Sequence, residues 1–140
     1  MKLTTKLLSS LLLIFSGFNI LASSVQEPAM AQVTAGRFIV NSLSGKCIDV
    51  AGAPGQSNGA RLQLWDCEVS GINPDNNSTT DQGWVLTSDG LIRNTLSGKC
   101  IDVAGAPGRT NGAAIQLWDC ERSGRNADNG STTDQRWQLD

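Results

Sequence analysis

One ordered set of polar and aromatic residues occurs twice in this chain: Asp49, Gln63 and Trp65, then Asp102, Gln116 and Trp118. A carboxylate can accept hydrogen bonds from two adjacent hydroxyls, and charged acceptors make the stronger bonds. An amide can donate and accept beside it. An indole offers a flat apolar face to the C–H side of a pyranose ring. Together these groups can hold a sugar. Each also has a plain structural use, since an Asp after a strand can cap a turn and a Trp is usually core. The chain has no histidine, which removes Ser-His-Asp and Cys-His nucleophiles and the common zinc sites. A glycosidase-like carboxylate pair is the catalytic option left, but the obvious carboxylates fall in separate, equivalent places. The expectation is binding rather than catalysis, with no catalytic residue, metal ligand or cofactor.

The duplication runs well beyond those six residues. SLSGKCIDVAGAPG at 42–55 returns as TLSGKCIDVAGAPG at 95–108, LQLWDCE as IQLWDCE, and NSTTDQGW as GSTTDQRW, at a constant offset of 53. Over 41–84 against 94–137, 34 of 44 positions are identical without a gap, so the two copies should share one fold. Repeat 1 covers about 37–89 and repeat 2 about 90–140. Each holds two of the four cysteines, and only Cys47–Cys67 with Cys100–Cys120 treats each repeat as a self-contained unit. Such bridges suit an exported chain.

Strands are needed to position these groups, and the local patterns supply them. Ile48 and Val50 alternate with Cys47 and Asp49, Leu62 and Leu64 with Gln63 and Trp65, while Trp84 and Leu86 share a face, as do Trp137 and Leu139. This is period-two patterning. AGAPG and SNG (TNG in repeat 2) are turn chemistry, and nothing from Gln32 onward has a sustained helical period. If Ile48, Val50, Leu62 and Leu64 point inward, then Cys47, Asp49, Gln63, Trp65 and Cys67 point outward. The bridge joins those outward faces and sets Asp49 against Trp65, and Asp102 against Trp118, across a gap of about one sugar ring.

Composition bounds the partners. The net charge of −2 leaves no basic footprint for nucleic acid. Lys2 and Lys6 precede an uncharged apolar stretch and an Ala29-Met30-Ala31 cleavage pattern. Residues 1–31 read as a signal peptide, the mature chain starts at Gln32, and the protein is expected to be secreted or periplasmic, without membrane attachment after signal removal.

With these motifs assembled, each half resembles a repeat of the ricin B-type lectin family. The likeness runs through GKCIDV, the QLWDC strand and the closing Q-x-W (Gln82-Gly83-Trp84 and Gln135-Arg136-Trp137), and it covers 32–140. It implies an all-β, β-trefoil-like fold, incomplete in that two of the usual three repeats are present. It also implies shallow sugar sites that often favour galactose-type ligands. In family terms Asp49 and Asp102 match the aspartate that binds two sugar hydroxyls, Trp65 and Trp118 the stacking aromatic, and Gln63 and Gln116 a polar pocket residue. Gln82 and Gln135 match the glutamine of Q-x-W, preceded by Asp81 and Asp134 where Asn is frequent, and Trp84 and Trp137 match its buried aromatic. The 14 residues between Cys67 and Gln82 should form a rim of the pocket.

The expected function is a carbohydrate-binding module with glycans or polysaccharides as partners. The alternatives are a protein-interaction or inhibitor module on the same scaffold, or a truncated, non-functional lectin fragment. An interaction module predicts an exposed apolar or basic loop, whereas these loops are polar and nearly identical between repeats. Two repeats also leave one side of a three-part barrel open, exposing inward residues such as Ile48, Val50, Leu64 and Trp84. A homo-oligomer completing the trefoil is the expected remedy.

Overall fold

Short strands follow wherever the period-two pattern meets turn residues. The computed structural model describes residues 36–138 and 140; the candidate signal peptide and Leu139 lie outside them. Six strands form in chain order: β1 (Cys47–Val50), β2 (Leu62–Trp65), β3 (Trp84–Leu86), β4 (Ile92–Asn94), β5 (Cys100–Val103) and β6 (Ile115–Trp118). β1 and β2 make a two-stranded sheet, and β3-β4-β5-β6 a four-stranded one, with every pairing antiparallel. No helix among the described residues is long and apolar enough to cross a membrane.

The duplication is exact in register. Cys47 pairs with Trp65, Ile48 with Leu64, Asp49 with Gln63 and Val50 with Leu62; β5 and β6 pair Cys100, Ile101, Asp102 and Val103 with Trp118, Leu117, Gln116 and Ile115. The hairpins are linked by the AGAPG turns. Gly52 and Gly105 sit at φ +114° and +120°, a region a side chain rarely enters. At Gly55 a Cβ would run into Val50, so the turn folds back directly onto β1.

Bridges join Cys47 to Cys67 and Cys100 to Cys120. They correct one expectation about faces. Cys47 and Cys100 are fully buried, while their partners Cys67 and Cys120, past the ends of β2 and β6, are only half-buried. Asp49, expected to point outward, is also buried, at 5% exposure.

The core gathers Val50, Trp84, Ile101 and Leu117, with Ile39, Ile48, Leu62, Ile92 and Trp137 packed around it. Val50 and Trp84 are buried and so are not among the residues laid open. The open side shows elsewhere. Leu117 is 0% exposed, while Leu64, its counterpart in repeat 1, is 47% exposed. The difference lies in the neighbour: Leu117 exchanges backbone hydrogen bonds with Gly59 and Ala60 of repeat 1 at 2.8 Å each.

Each bridge spans a sequence separation of 20, so its loss frees the unfolded chain. Replacing Cys47 and Cys67 together by Ala should lower the unfolding free energy by about 3 kcal/mol. Denaturant unfolding measures this, and a change well under 1 kcal/mol would show that the unfolded chain is already restricted without the bridge.

Candidate functional site

The site grows from the β1–β2 hairpin. Asp49 lies directly opposite Gln63, whose Nε2 donates to Asp49 Oδ2 at 2.8 Å. Trp65 stands opposite Cys47, so the face-to-face pairing expected between Asp49 and Trp65 becomes a diagonal one. In an antiparallel hairpin such neighbours are still close enough for an aromatic side chain to reach. Trp65 remains 46% exposed, with its indole available to a ligand.

A second amide holds Asp49 from below. Gln82 is fully buried. Its Nε2 donates to Asp49 Oδ1 at 3.2 Å and to the Asp66 carbonyl at 2.9 Å, and its Oε1 accepts the Glu68 N–H at 2.9 Å. Asp81 Oδ2 accepts the Gly55 N–H at 2.8 Å and Oδ1 that of Val50 at 3.4 Å. Trp84 Nε1 donates to the Ile48 carbonyl at 3.1 Å. The D-Q-x-W stretch therefore lies under the hairpin and supports it: Gln82 holds the Asp49 carboxylate and Asp81 the Gly55 and Val50 amides, with Asp81 as buried as Asp49, at 5% exposure.

Repeat 2 copies the arrangement. Gln116 donates to Asp102 at 2.8 Å, Gln135 to Asp102 at 3.2 Å and to the Asp119 carbonyl at 3.0 Å, and Gln135 Oε1 accepts the Glu121 N–H at 2.9 Å. Asp134 accepts the Gly108 N–H at 2.6 Å. Trp118 is half-buried, its ring edge close to Gly59 of repeat 1.

The loop expected to rim the pocket is ordered and tied to the AGAPG turn. The loop after Cys67 closes on itself through the Asn73–Ser78 and Ile72–Thr79 pairings, and Asn76 Nδ2 donates to the Ala53 carbonyl at 3.1 Å. Asn129 and Ala106 repeat that contact at 3.1 Å. Sequence reasoning missed this tie and the role of the Gly55 and Gly108 amides. The signal was an Asn kept at one loop position in both repeats and a Gly where no Cβ fits.

The two carboxyls of each repeat lie against one another. Burial pushes Asp81 from the ordinary 3.8 up to about 6, the Asp49 charge adds to the rise, and the Gly55 and Val50 amides oppose it. In repeat 2 burial raises Asp102, Gln116 and Gln135 oppose the rise, and Asp134 adds to it.

With this geometry in place, residues 35–140 match the model of the ricin-type β-trefoil lectin domain. The chain belongs to that family. A stretch of 81 residues, 58% of this lectin chain, is 35% identical to beta-galactoside-specific lectin 2 of Viscum album, and it spans 12% of that protein. The family assignment makes this a carbohydrate-binding fold and accounts for the duplicated aspartate, glutamine and tryptophan set.

The raised carboxyls, Asp81 in repeat 1 and Asp102 in repeat 2, give the lectin a signed pH dependence. With a folded pKa raised above its unfolded value, the native state binds more protons than the unfolded chain between about pH 4 and 6. Stability from this source is therefore greatest below that window and falls as pH rises through it. Asp81→Asn with Asp134→Asn keeps an acceptor for Gly55 and Gly108 and gives Asp49 and Asp102 a donor. Unfolding midpoints compared at about pH 5 and pH 7 should show the double variant gaining relative to the parent at the higher pH. An equal difference at both values would refute the coupling.

Proposed function

We propose that each repeat binds one sugar residue, with two vicinal hydroxyls on the carboxylate of Asp49 or Asp102 and the ring's apolar face on Trp65 or Trp118. The observation that carries this reading is the state of the carboxylate. Asp49 is held by Gln63 on one oxygen and Gln82 on the other, yet lies on the same hairpin face as a half-exposed indole. A carboxylate oxygen has two acceptor directions, so each oxygen fixed by one amide can still accept one hydroxyl. Gln63 and Gln116 sit at the sugar's edge, while Asp81, Gln82, Asp134 and Gln135 act as positioning residues beneath.

The preferred ligand is a galactose-type sugar, in line with the beta-galactoside specificity that the name of the Viscum album relative states. The module acts by binding alone. A glycosidase needs two carboxyls set apart across the scissile bond, whereas the two in each repeat lie against each other and both are engaged by amides or backbone. Two disulfides and the N-terminal charge pattern support a secreted or periplasmic location.

A shallow site for a monosaccharide gives dissociation constants of roughly millimolar to high micromolar. Trp65→Ala with Trp118→Ala removes only part-exposed rings and should cut affinity at least roughly tenfold while leaving the far-ultraviolet dichroism unchanged. Asp49→Asn with Asp102→Asn should abolish binding. Titration calorimetry with galactosides and with glucosides checks both. Undiminished binding by the tryptophan variant would sink the site assignment, and competition by glucosides alone would overturn only the galactose preference.

A further inference from the structure

The two repeats share their Asp, Gln and Trp set but not their charge. Repeat 1, over 37–89, carries 3 Lys and Arg against 6 Asp and Glu, whereas repeat 2, over 90–140, carries 6 of each. Ten positions differ between 41–84 and 94–137, and at four of them Gln56, Val69, Ile72 and Gly83 give way to Arg109, Arg122, Arg125 and Arg136. Just before that window, Val40 gives way to Arg93.

Three of these arginines gather beside the second sugar site. Arg93 on β4 stands opposite Cys100 on β5, and Cys100 opposite Trp118 on β6. Directly opposed residues of antiparallel strands turn their side chains to one face, which here also carries Asp102, two residues beyond Cys100. Two strand spacings, about 10 Å, separate Arg93 from Trp118 along this row, a gap that an arginine side chain and one pyranose ring together span. Both cysteines of the bridge line a pocket of about 290 Å³ with Thr87, Asp89, Arg93 and Arg122. The Thr87 hydroxyl donates to Asp89 at 2.6 Å. That hydrogen bond holds the Asp89 carboxyl below the ordinary carboxylate range, and the charges of Arg136 and Arg122 act in the same direction. None of Arg93, Arg122 and Arg136 forms an ion pair among the described residues, so three cations surround one carboxylate that already has a partner. In repeat 1 the same places hold Val40, Val69 and Gly83, and Val40 bridges to Cys47 in the register of Arg93 and Cys100.

We propose that this pocket takes an anionic substituent, a sulfate or a carboxylate, on the sugar bound at Asp102 and Trp118. The inference rests on the sugar site proposed above and gives repeat 2 a ligand class that repeat 1 lacks. A guanidinium meets either oxyanion with paired, charge-assisted hydrogen bonds. Val40 and Val69, 53% and 80% exposed, offer an anion no such bonds, so repeat 1 is left with neutral sugars.

Titration calorimetry on the whole chain tests this, with repeat 1 silenced by Asp49→Asn. The probes are galactose, galactose monosulfates, galacturonic acid and inorganic sulfate. An anionic galactose should bind roughly tenfold or more tighter than galactose at low salt, and added sodium chloride should shrink the gain. Arg93→Gln with Arg122→Gln should bring the ratio of anionic to neutral affinity down to about one, while Lys at both positions keeps part of the gain. Asp102→Asn, which leaves repeat 1 to bind, should show no preference for the anion. Equal affinity for neutral and anionic sugars would overturn the proposal and leave the sugar site standing. So would a preference that survives loss of both arginines or that repeat 1 shows as well. Inorganic sulfate that competes as strongly as the sulfated sugars would reveal a bare anion site and overturn the glycan ligand. Failure of every sugar, neutral or charged, to bind would overturn both readings.

Discussion

The fold depends on one buried amide per repeat. Gln82 reaches three segments at once: the Asp49 side chain on β1, the Asp66 carbonyl at the end of β2, and the Glu68 amide at the start of the rim loop. Strands of three or four residues cannot define a barrel by their own pairing. A buried amide left without partners would be costly, so the Q-x-W segment has one place to lie. Its position then brings Trp84 under β1, where the indole N–H finds the Ile48 carbonyl, and puts Asp81 in reach of the Gly55 amide at the AGAPG turn. Gln135 does the same work in repeat 2.

That amide also links folding to recognition. Asp49 is buried and held by two glutamines, so its orientation is fixed before any ligand arrives and little ordering remains to oppose binding. Burial beside it raises the proton affinity of Asp81, and the Gly55 and Val50 amides oppose part of that rise. In the proposed site Asp49 is therefore both a strut and a binding group, whereas Trp65 would meet the ligand without holding the hairpin. The two residue types will answer substitution differently, and binding data on the tryptophan separate recognition from folding more cleanly.

Much of this was legible in the sequence. Period-two alternation located β1, β2, β5 and β6, and the 53-residue offset required identical registers in the two repeats. The wrong inference was which face is solvent. Alternation says that Cys47 and Asp49 share a side and cannot say what covers it; here the Q-x-W segment does, through Gln82. Nor could spacing set the pairing of Asp49 with Gln63 rather than Trp65. The bridge was taken as level with the strands, but Cys67 lies past the end of β2, so the register is shifted by one pair. The Asn76–Ala53 tie was hidden because it joins a loop to a turn 23 residues away with no periodic signal.

Leu64 and Leu117 mark the deeper limit. They occupy the same place in near-identical sequence and pair in the same register, yet one is half exposed and the other fully buried. Local sequence encodes the surface each leucine presents, and only the neighbouring repeat decides whether that surface is covered. Duplication has therefore given the chain two copies of each half of the seam that joins its repeats. The chain joins one pair of halves internally and carries the second set of groups along the edges of an apolar cleft. The hydrophobic term that favours burying Leu117 acts on Leu64 as well, but in repeat 1 no neighbour among the described residues supplies the cover.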